Sequence, residues 1–217
     1  MDIPNQVHLL PTLARRPLAF RERPLNSTGE HPLVRRAHAT VASLVDLDAA
    51  LAGVDAALPL ERRREAIRSQ HEAVQVRAAA LAKAVAAERE QAADLHRFLD
   101  HPKPVESAIE AFNDGELRQA FRELDEGRAR PLWKAMGDGQ NDVLLLALAR
   151  FAMPTPDSIR AREVWSSLQR TRHPNRVQML DASTERSEWA EGIVGQVHRV
   201  FDEAADLLGP SVLFEAA

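Results

Sequence analysis

An all-α protein is predicted by three observations. Ala occurs 36 times in the 217 residues, against 27 for Val, Ile and Thr together, and Ala has the highest helix propensity whereas β-branched residues favour strands. After residue 40, apolar residues recur mostly at three- and four-residue spacing, the period of one helix face. From Leu60 to about Leu99 there is neither Gly nor Pro to interrupt a helix. The expected architecture is an elongated helical bundle (40–208) with one long helix of roughly 40 residues, an extended Pro/Arg-rich N-terminal arm (1–39) and a C-terminal apolar tail (209–217).

The arm is set apart by composition. Five of the thirteen prolines (Pro4, Pro11, Pro17, Pro24, Pro32) lie in residues 1–40, with Arg15, Arg16, Arg21, Arg23, Arg35 and Arg36. Proline at that density forbids a long helix. Leu9, Leu10, Leu13, Leu18, Phe20 and Leu25 lack a helical period and read as scattered anchors. Such termini are commonly disordered, and where one is ordered, its own bundle or a neighbouring subunit must hold it. Arg15, Arg16, Leu18, Phe20, Arg21, Arg23, Arg35 and Arg36 are therefore the expected partner contacts.

Val41, Leu44, Val45, Leu47, Leu51, Val54 and Leu58 form the stripe of a helix over 40–58, stopped by Pro59. Leu60, Ile67, Val74 and Leu81 then keep a seven-residue step, continued by Val85, Ala92, Leu95 and Leu99; at 1.5 Å per residue the rod is about 60 Å long. Arg63, Arg64, Gln70 and His71 interrupt its seam, so neighbouring helices rather than a two-stranded coiled coil are expected to cover it. His101-Pro102-Lys103-Pro104 ends the rod. A helical hairpin is expected over 105–124 with its turn at Asn113-Asp114-Gly115. A brief helix should follow Pro131 and end at Gly137-Asp138-Gly139. Residues 143–149, apolar on every side, mark the centre of the core. Pro154 and Pro156 bracket the start of the next helix, with Asp157 or Thr155 as its cap, and His173-Pro174 closes it. The last helix is expected to open near Ser183-Thr184-Glu185 and reach Leu208. Val212, Leu213 and Phe214 form an apolar hook, folded on its own bundle or docked on a neighbour.

Several chemistries are excluded on residue grounds. Without cysteine there is no disulfide, thiolate site or thiol nucleophile. No apolar run approaches the roughly 20 residues of a membrane span, and the first 20 residues lack signal-peptide order, so a cytoplasmic protein at synthesis is expected. There is no G-x-S-x-G, P-loop, G-x-G-x-x-G or H-E-x-x-H pattern, and no His follows a Glu by three residues as di-iron bundles require. His96, Asp100 and His101 offer too few ligands to define a metal site. Asp138, Gln140 and Asp142 imitate a calcium loop, but Val143 stands where its Gly is needed and Ala149 where its Glu is needed. No cofactor or metal is expected.

Charge gives the remaining functional signal. The blocks 1–40, 41–127, 128–176 and 177–217 carry +3, −6, +5 and −6; alternating blocks can pair within one chain or steer head-to-tail contact between copies. The would-be reading helix of the 105–124 hairpin, Glu116 to Glu126, carries Arg118 and Arg122 against Glu116, Glu123, Asp125 and Glu126 and is net acidic, which repels phosphates. Residues 157–176 are the better basic surface: Arg162, Trp165, Gln169 and Arg172 can share a face and grip phosphate or acidic protein.

Through the arm RRPLAFRERPLNSTGEHPLVRR and the Ala-rich rod AVQVRAAALAKAVAAERE, the chain resembles in outline the small helical virion proteins of tailed phages, such as connector, minor head or internal ejection proteins. The resemblance is architectural, spans about half the chain and transfers no functional residue. It implies a non-enzymatic assembly protein, bound to copies of itself or to a larger particle and incorporated into a virion. The alternative is a nucleic-acid-associated regulator or packaging factor using 157–176; a helical enzyme with a pocket of scattered residues is the third class. On the assembly reading, removing residues 2–36 is expected to abolish assembly and leave helicity nearly unchanged.

Overall fold

Pro32, read from sequence as part of a helix-forbidding arm, instead starts a helix. In the computed structural model, which describes residues 5–208, α1 spans Pro32–Ala52, with Pro32 in its first turn and His31 Nδ1 accepting a hydrogen bond from the Leu33 N–H (3.3 Å). Proline is tolerated there because a first-turn N–H has no intrahelical partner. Arg35 and Arg36 thus stand exposed on α1 and not on an extended arm. The arm itself carries two short antiparallel strands, β1 (Asn5–His8) and β2 (Leu18–Arg21), in the register Gln6 to Phe20 and His8 to Leu18. Everything else regular is helical. The hook residues Val212, Leu213 and Phe214 lie outside the described residues.

The long helix is where the sequence places it: α2 spans Leu60–Asp100, 41 residues. Ile67, Val74, Ala78, Leu81 and Val85 are buried along its stripe, while Leu60 at the entry is exposed. Next, α3 (Ala108–Arg122) runs uninterrupted through Asn113-Asp114-Gly115, so the expected hairpin does not exist. Asp114 is buried and faces Arg150 (3.5 Å). A mid-helix Gly costs only roughly 1 kcal/mol, so the helix continues through Gly115. α4 (Glu126–Gly137) begins before Pro131, because Asp125 caps it by accepting from the Arg128 N–H (2.9 Å) and Trp133 and Met136 bury its inner face. Gly139, at φ 70°, makes the turn into α5 (Asp142–Ala149). α6 (Pro156–Arg172) opens on a reciprocal Thr155–Ser158 capping box. α7 (Pro174–Glu203) starts nine residues before the expected Ser183 cap, and α8 (Ala205–Leu208) follows it.

The chain divides into two compact units, residues 1–91 with 181–217, and residues 92–180. In the first, α1, the 60–91 stretch of α2 and the 181–203 stretch of α7 pack around one core that includes Leu44, Leu47, Leu81, Ile193, Val197 and Phe201. Arg64 donates to the carbonyls of Asp206 and Leu207 (3.1 Å each), and Ser183 to Glu88, so these stretches of α2 and α7 run antiparallel. The second unit centres on α5. Leu144, Leu145 and Leu148 pack with Phe121, Trp133, Met136 and Ala161, as the all-round apolar sequence 143–149 predicts, although Val143 itself points out, 67% exposed.

A strand receptor and a basic cleft

Local sequence makes the arm a strand, and α7 makes a place for it. Leu18 and Phe20 alternate inward with Ala19 and Arg21 outward, the two-residue period of a half-buried strand. Leu10, Leu13, Leu18 and Phe20 belong to the core of the first unit, with Leu18 1% exposed. In β2, Ala19 opposes Val7 but turns its backbone groups to α7. Gln196 takes both of them: its Oε1 accepts from the Ala19 N–H (2.9 Å) and its Nε2 donates to the Ala19 carbonyl (2.8 Å). Trp189 Nε1 donates to the Arg21 carbonyl (2.9 Å) and Arg199 to the Pro17 carbonyl (3.2 Å). Glu203 accepts from the Arg15 N–H (2.9 Å), and Glu185 from the N–H groups of Leu25 and Asn26. From α1, buried Asp48 accepts from the N–H groups of Thr12 (2.9 Å) and Leu13 (2.7 Å).

Trp189, Gln196 and Arg199 on one stripe of α7 therefore satisfy the outer edge of the extended stretch 17–21 by side chain, as a neighbouring strand would by backbone, and Glu203 and Glu185 take N–H groups of the bend and turn at either end of it. Rings lock the middle: Phe20 lies 6.3 Å from both His38 and Trp189, and 5.7 Å from His8. Sequence reasoning placed Trp189 in a core stripe and missed Gln196, Glu185, Arg199 and Glu203. Their spacing along one helix face was the available signal.

The predicted partner contacts sort accordingly. Leu18 and Phe20 are buried in the core of the first unit. Arg15, Arg16, Arg21, Arg23, Arg35 and Arg36 are all exposed. The expected face of Arg162, Trp165, Gln169 and Arg172 is not one free surface. Arg162 donates to the carbonyls of Ala149 (3.0 Å) and Phe151, Gln169 is buried, and Arg172 pairs with Asp142 (2.8 Å) and donates to the Gly139 carbonyl (3.2 Å). Turned onto α5 and its flanking turns, these side chains staple the second unit and offer no phosphate grip.

In the second unit the basic block 128–176 pairs with the acidic block before it. Arg170 and Ser166 converge on Asp100, and Arg150 meets Asp114. Burial alone would raise the Asp100 carboxyl; hydrogen bonds from Arg170 and Ser166, with the charges of Arg170 and His96, outweigh it and hold the carboxyl below its ordinary value. His96 Nε2 lies 3.0 Å from the same carboxylate, so Asp100 of the histidine-acid cluster noticed in sequence is bound by Arg170, Ser166 and His96 side chains. Among the described residues no group of three or more His, Asp or Glu could hold a metal, and no helix is long and apolar enough to cross a membrane.

The second unit also carries a cleft of about 910 Å³ between the end of α3, α4 and the start of α6. Phe121, Leu124 and Trp133 give it apolar walls; Arg122, Arg130, Lys134 and Arg160 stand around it with Glu126 and Asp157. Arg160 lies 4.4 Å over the Trp133 ring, and Phe121 meets that ring edge-on at 5.5 Å.

Three histidines of the first unit set a pH response. Burial lowers His31, reinforced by the Arg186 charge and partly opposed by Glu88; burial also lowers His71 and His198, against Glu72 and Asp202. Each stays neutral in the fold where the unfolded imidazole, of pKa about 6.5, takes up a proton. Stability is therefore lost as pH falls from about 6.5 toward the lowered folded values. Protonation also removes the acceptor by which His31 caps α1. Urea midpoints are expected to drop between pH 7 and pH 5.5, and to drop less in the His31→Asn/His71→Asn variant. Equal drops in both proteins would remove these histidines as the cause.

No family model, curated protein or solved structure matches the chain. What its fold and site define is a class: an all-α protein of two compact units, the first of which packs the chain's own N-terminal arm against α1 and α7. No particular protein follows from likeness, so the functional reading rests on that geometry.

Proposed function

We propose that this chain is a non-enzymatic assembly protein whose N-terminal arm ties copies together by seating in the α1/α7 receptor of the next copy. The observation that carries the reading is the clamp on the arm backbone: Gln196 holds both polar groups of Ala19, with Glu185, Trp189, Arg199 and Glu203 continuing the row. Contacts made within one chain are available unchanged between two, the condition for exchange of an element between protomers. Residues 22–31 join the arm to α1 and can span at most about 35 Å when extended. They are mostly exposed, with a turn closed by the His31 N–H to the Thr28 carbonyl (3.1 Å). Three of the less exposed carboxylates are engaged in ion pairs: Asp100 with Arg170, Asp114 with Arg150, Glu88 with Arg186. Incorporation into a virion is the particular setting that the outline of arm and rod suggests.

Shortening the connection tests the reading, because a strained hinge disfavours the closed form without touching the receptor. Deleting residues 27–30, which keeps the Asn26 contact with Glu185 and the His31 cap of α1, is expected to shift the light-scattering mass from smaller to larger assemblies of intact, helical subunits. A shortened protein that stays a folded monomer at every concentration contradicts it.

A further inference from the structure

Most arginines of the second unit are engaged within it. Arg118, Arg150, Arg162, Arg170 and Arg172 donate to carbonyls or carboxylates inside the unit, and Arg97 and Arg128 pair with Asp94 and Asp125. Arg122, Arg130, Arg160 and Arg176 have no carboxylate partner among the described residues; Arg176 lies over the Phe98 ring, and the other three stand around the α3/α4/α6 cleft. Two of them are held by rings. Arg160 lies over Trp133, and Arg122 lies 5.2 Å over Phe151. A guanidinium stacked on a ring keeps its in-plane N–H donors free, ordered and ready for a carboxylate. Lys134, by contrast, is already taken by Asp138 (2.6 Å).

We propose that this cleft seats an acidic segment of a protein partner, with an apolar side chain against Phe121, Leu124 and Trp133 and carboxylates on Arg122, Arg130 and Arg160. Its volume suits a few residues. The mixture of walls selects the class of ligand. A nucleic-acid backbone brings a dense row of phosphates, and Glu126 and Asp157 in the lining would repel it. A peptide has separate carboxylates that meet the arginines and leave those two acids unopposed. Its apolar side chain also uses the ring and leucine surface, which phosphates do not. This site is independent of the arm receptor, so either can fail without the other.

The test uses the full chain and a fluorescently labelled peptide, Asp-Glu-Leu-Phe-Asp-Glu, followed by anisotropy. Saturable binding is expected, weakened about tenfold or more by Arg130→Glu/Arg160→Glu with the far-ultraviolet dichroism unchanged. A peptide with Lys at every acidic position should not bind. Arg130→Glu alone, at an exposed side chain, provides the same comparison at smaller amplitude should the double variant fold poorly. No binding, equal binding to wild type and Arg130→Glu, or tighter binding of a twelve-residue oligothymidylate than of the acidic peptide would overturn the proposal.

Discussion

Replacing Leu18 with Asp is expected to unfold the first unit. Leu18 is 1% exposed in a core it shares with α1, α2 and α7 residues. Truncating such a leucine to Ala already costs about 2–5 kcal/mol. An aspartate in its place adds the cost of a buried, unpaired carboxylate, several kcal/mol more, against a typical domain stability of about 5–15 kcal/mol. Leu10, Leu13 and Phe20 share the core, so removing residues 2–36 is expected to do the same, and it would also cut the first turn of α1. The expectation from sequence that helicity survives this deletion is thereby reversed: a large loss of helical dichroism and of the cooperative urea transition is now the result to look for. An exposed control, Leu9→Asp at 74% exposure, should change little. If Leu18→Asp melts like wild type, the arm does not belong to the core.

The second large effect concerns Glu88. Its carboxylate is nearly buried, accepts from Ser183 (2.9 Å) and pairs with Arg186, the two side chains keeping 10% and 13% exposure. Breaking a buried pair by removing one partner strands the other charge, at about 3–5 kcal/mol. Glu88→Ala is expected to fall in that range by urea denaturation. Glu88→Leu/Arg186→Met should recover much of the loss, because neither charge then remains buried. The exposed pair Arg89–Glu191 is the contrast; Glu191→Ala should cost no more than about 1 kcal/mol. A Glu88→Ala variant as mild as Glu191→Ala would mean that water reaches this site freely.

Particular residues show why some of this was legible in sequence and some was not. The long helix could be read because its signals are local: no Gly or Pro for forty residues, and Ile67, Val74 and Leu81 at a fixed step. The misread positions depend on partners far away in the chain. Asn113-Asp114-Gly115 carries turn residues, but Arg150, 36 residues later, holds Asp114 inside a helix. Ser183 looks like a cap, but its hydroxyl meets Glu88, 95 residues earlier, in mid-helix. The arm shows both sides. Its anchors Leu10, Leu13, Leu18 and Phe20 were visible as apolar residues without helical period, and the alternation at 18–21 was the trace of β2. What receives them is a stripe on α7 some 170 residues on, as in the Ala19–Gln196 separation of 177, and no local pattern marks it as a receptor. Of the candidate sites, the arginines expected to contact a partner, Arg15, Arg16, Arg21, Arg23, Arg35 and Arg36, are exposed. The expected basic face of α6 is not one free surface: helical phase predicts which side chains lie together but not which side meets α5.

The most direct test of arm exchange uses the absence of cysteine from the chain. Ala19→Cys and Gln196→Cys place the only two thiols where the arm crosses α7, and a short bismaleimide can join them in the assembled protein. Arm exchange predicts covalent dimers and longer ladders on a denaturing gel. Crosslinking confined to single chains, within a particle that light scattering shows to be assembled, would contradict it.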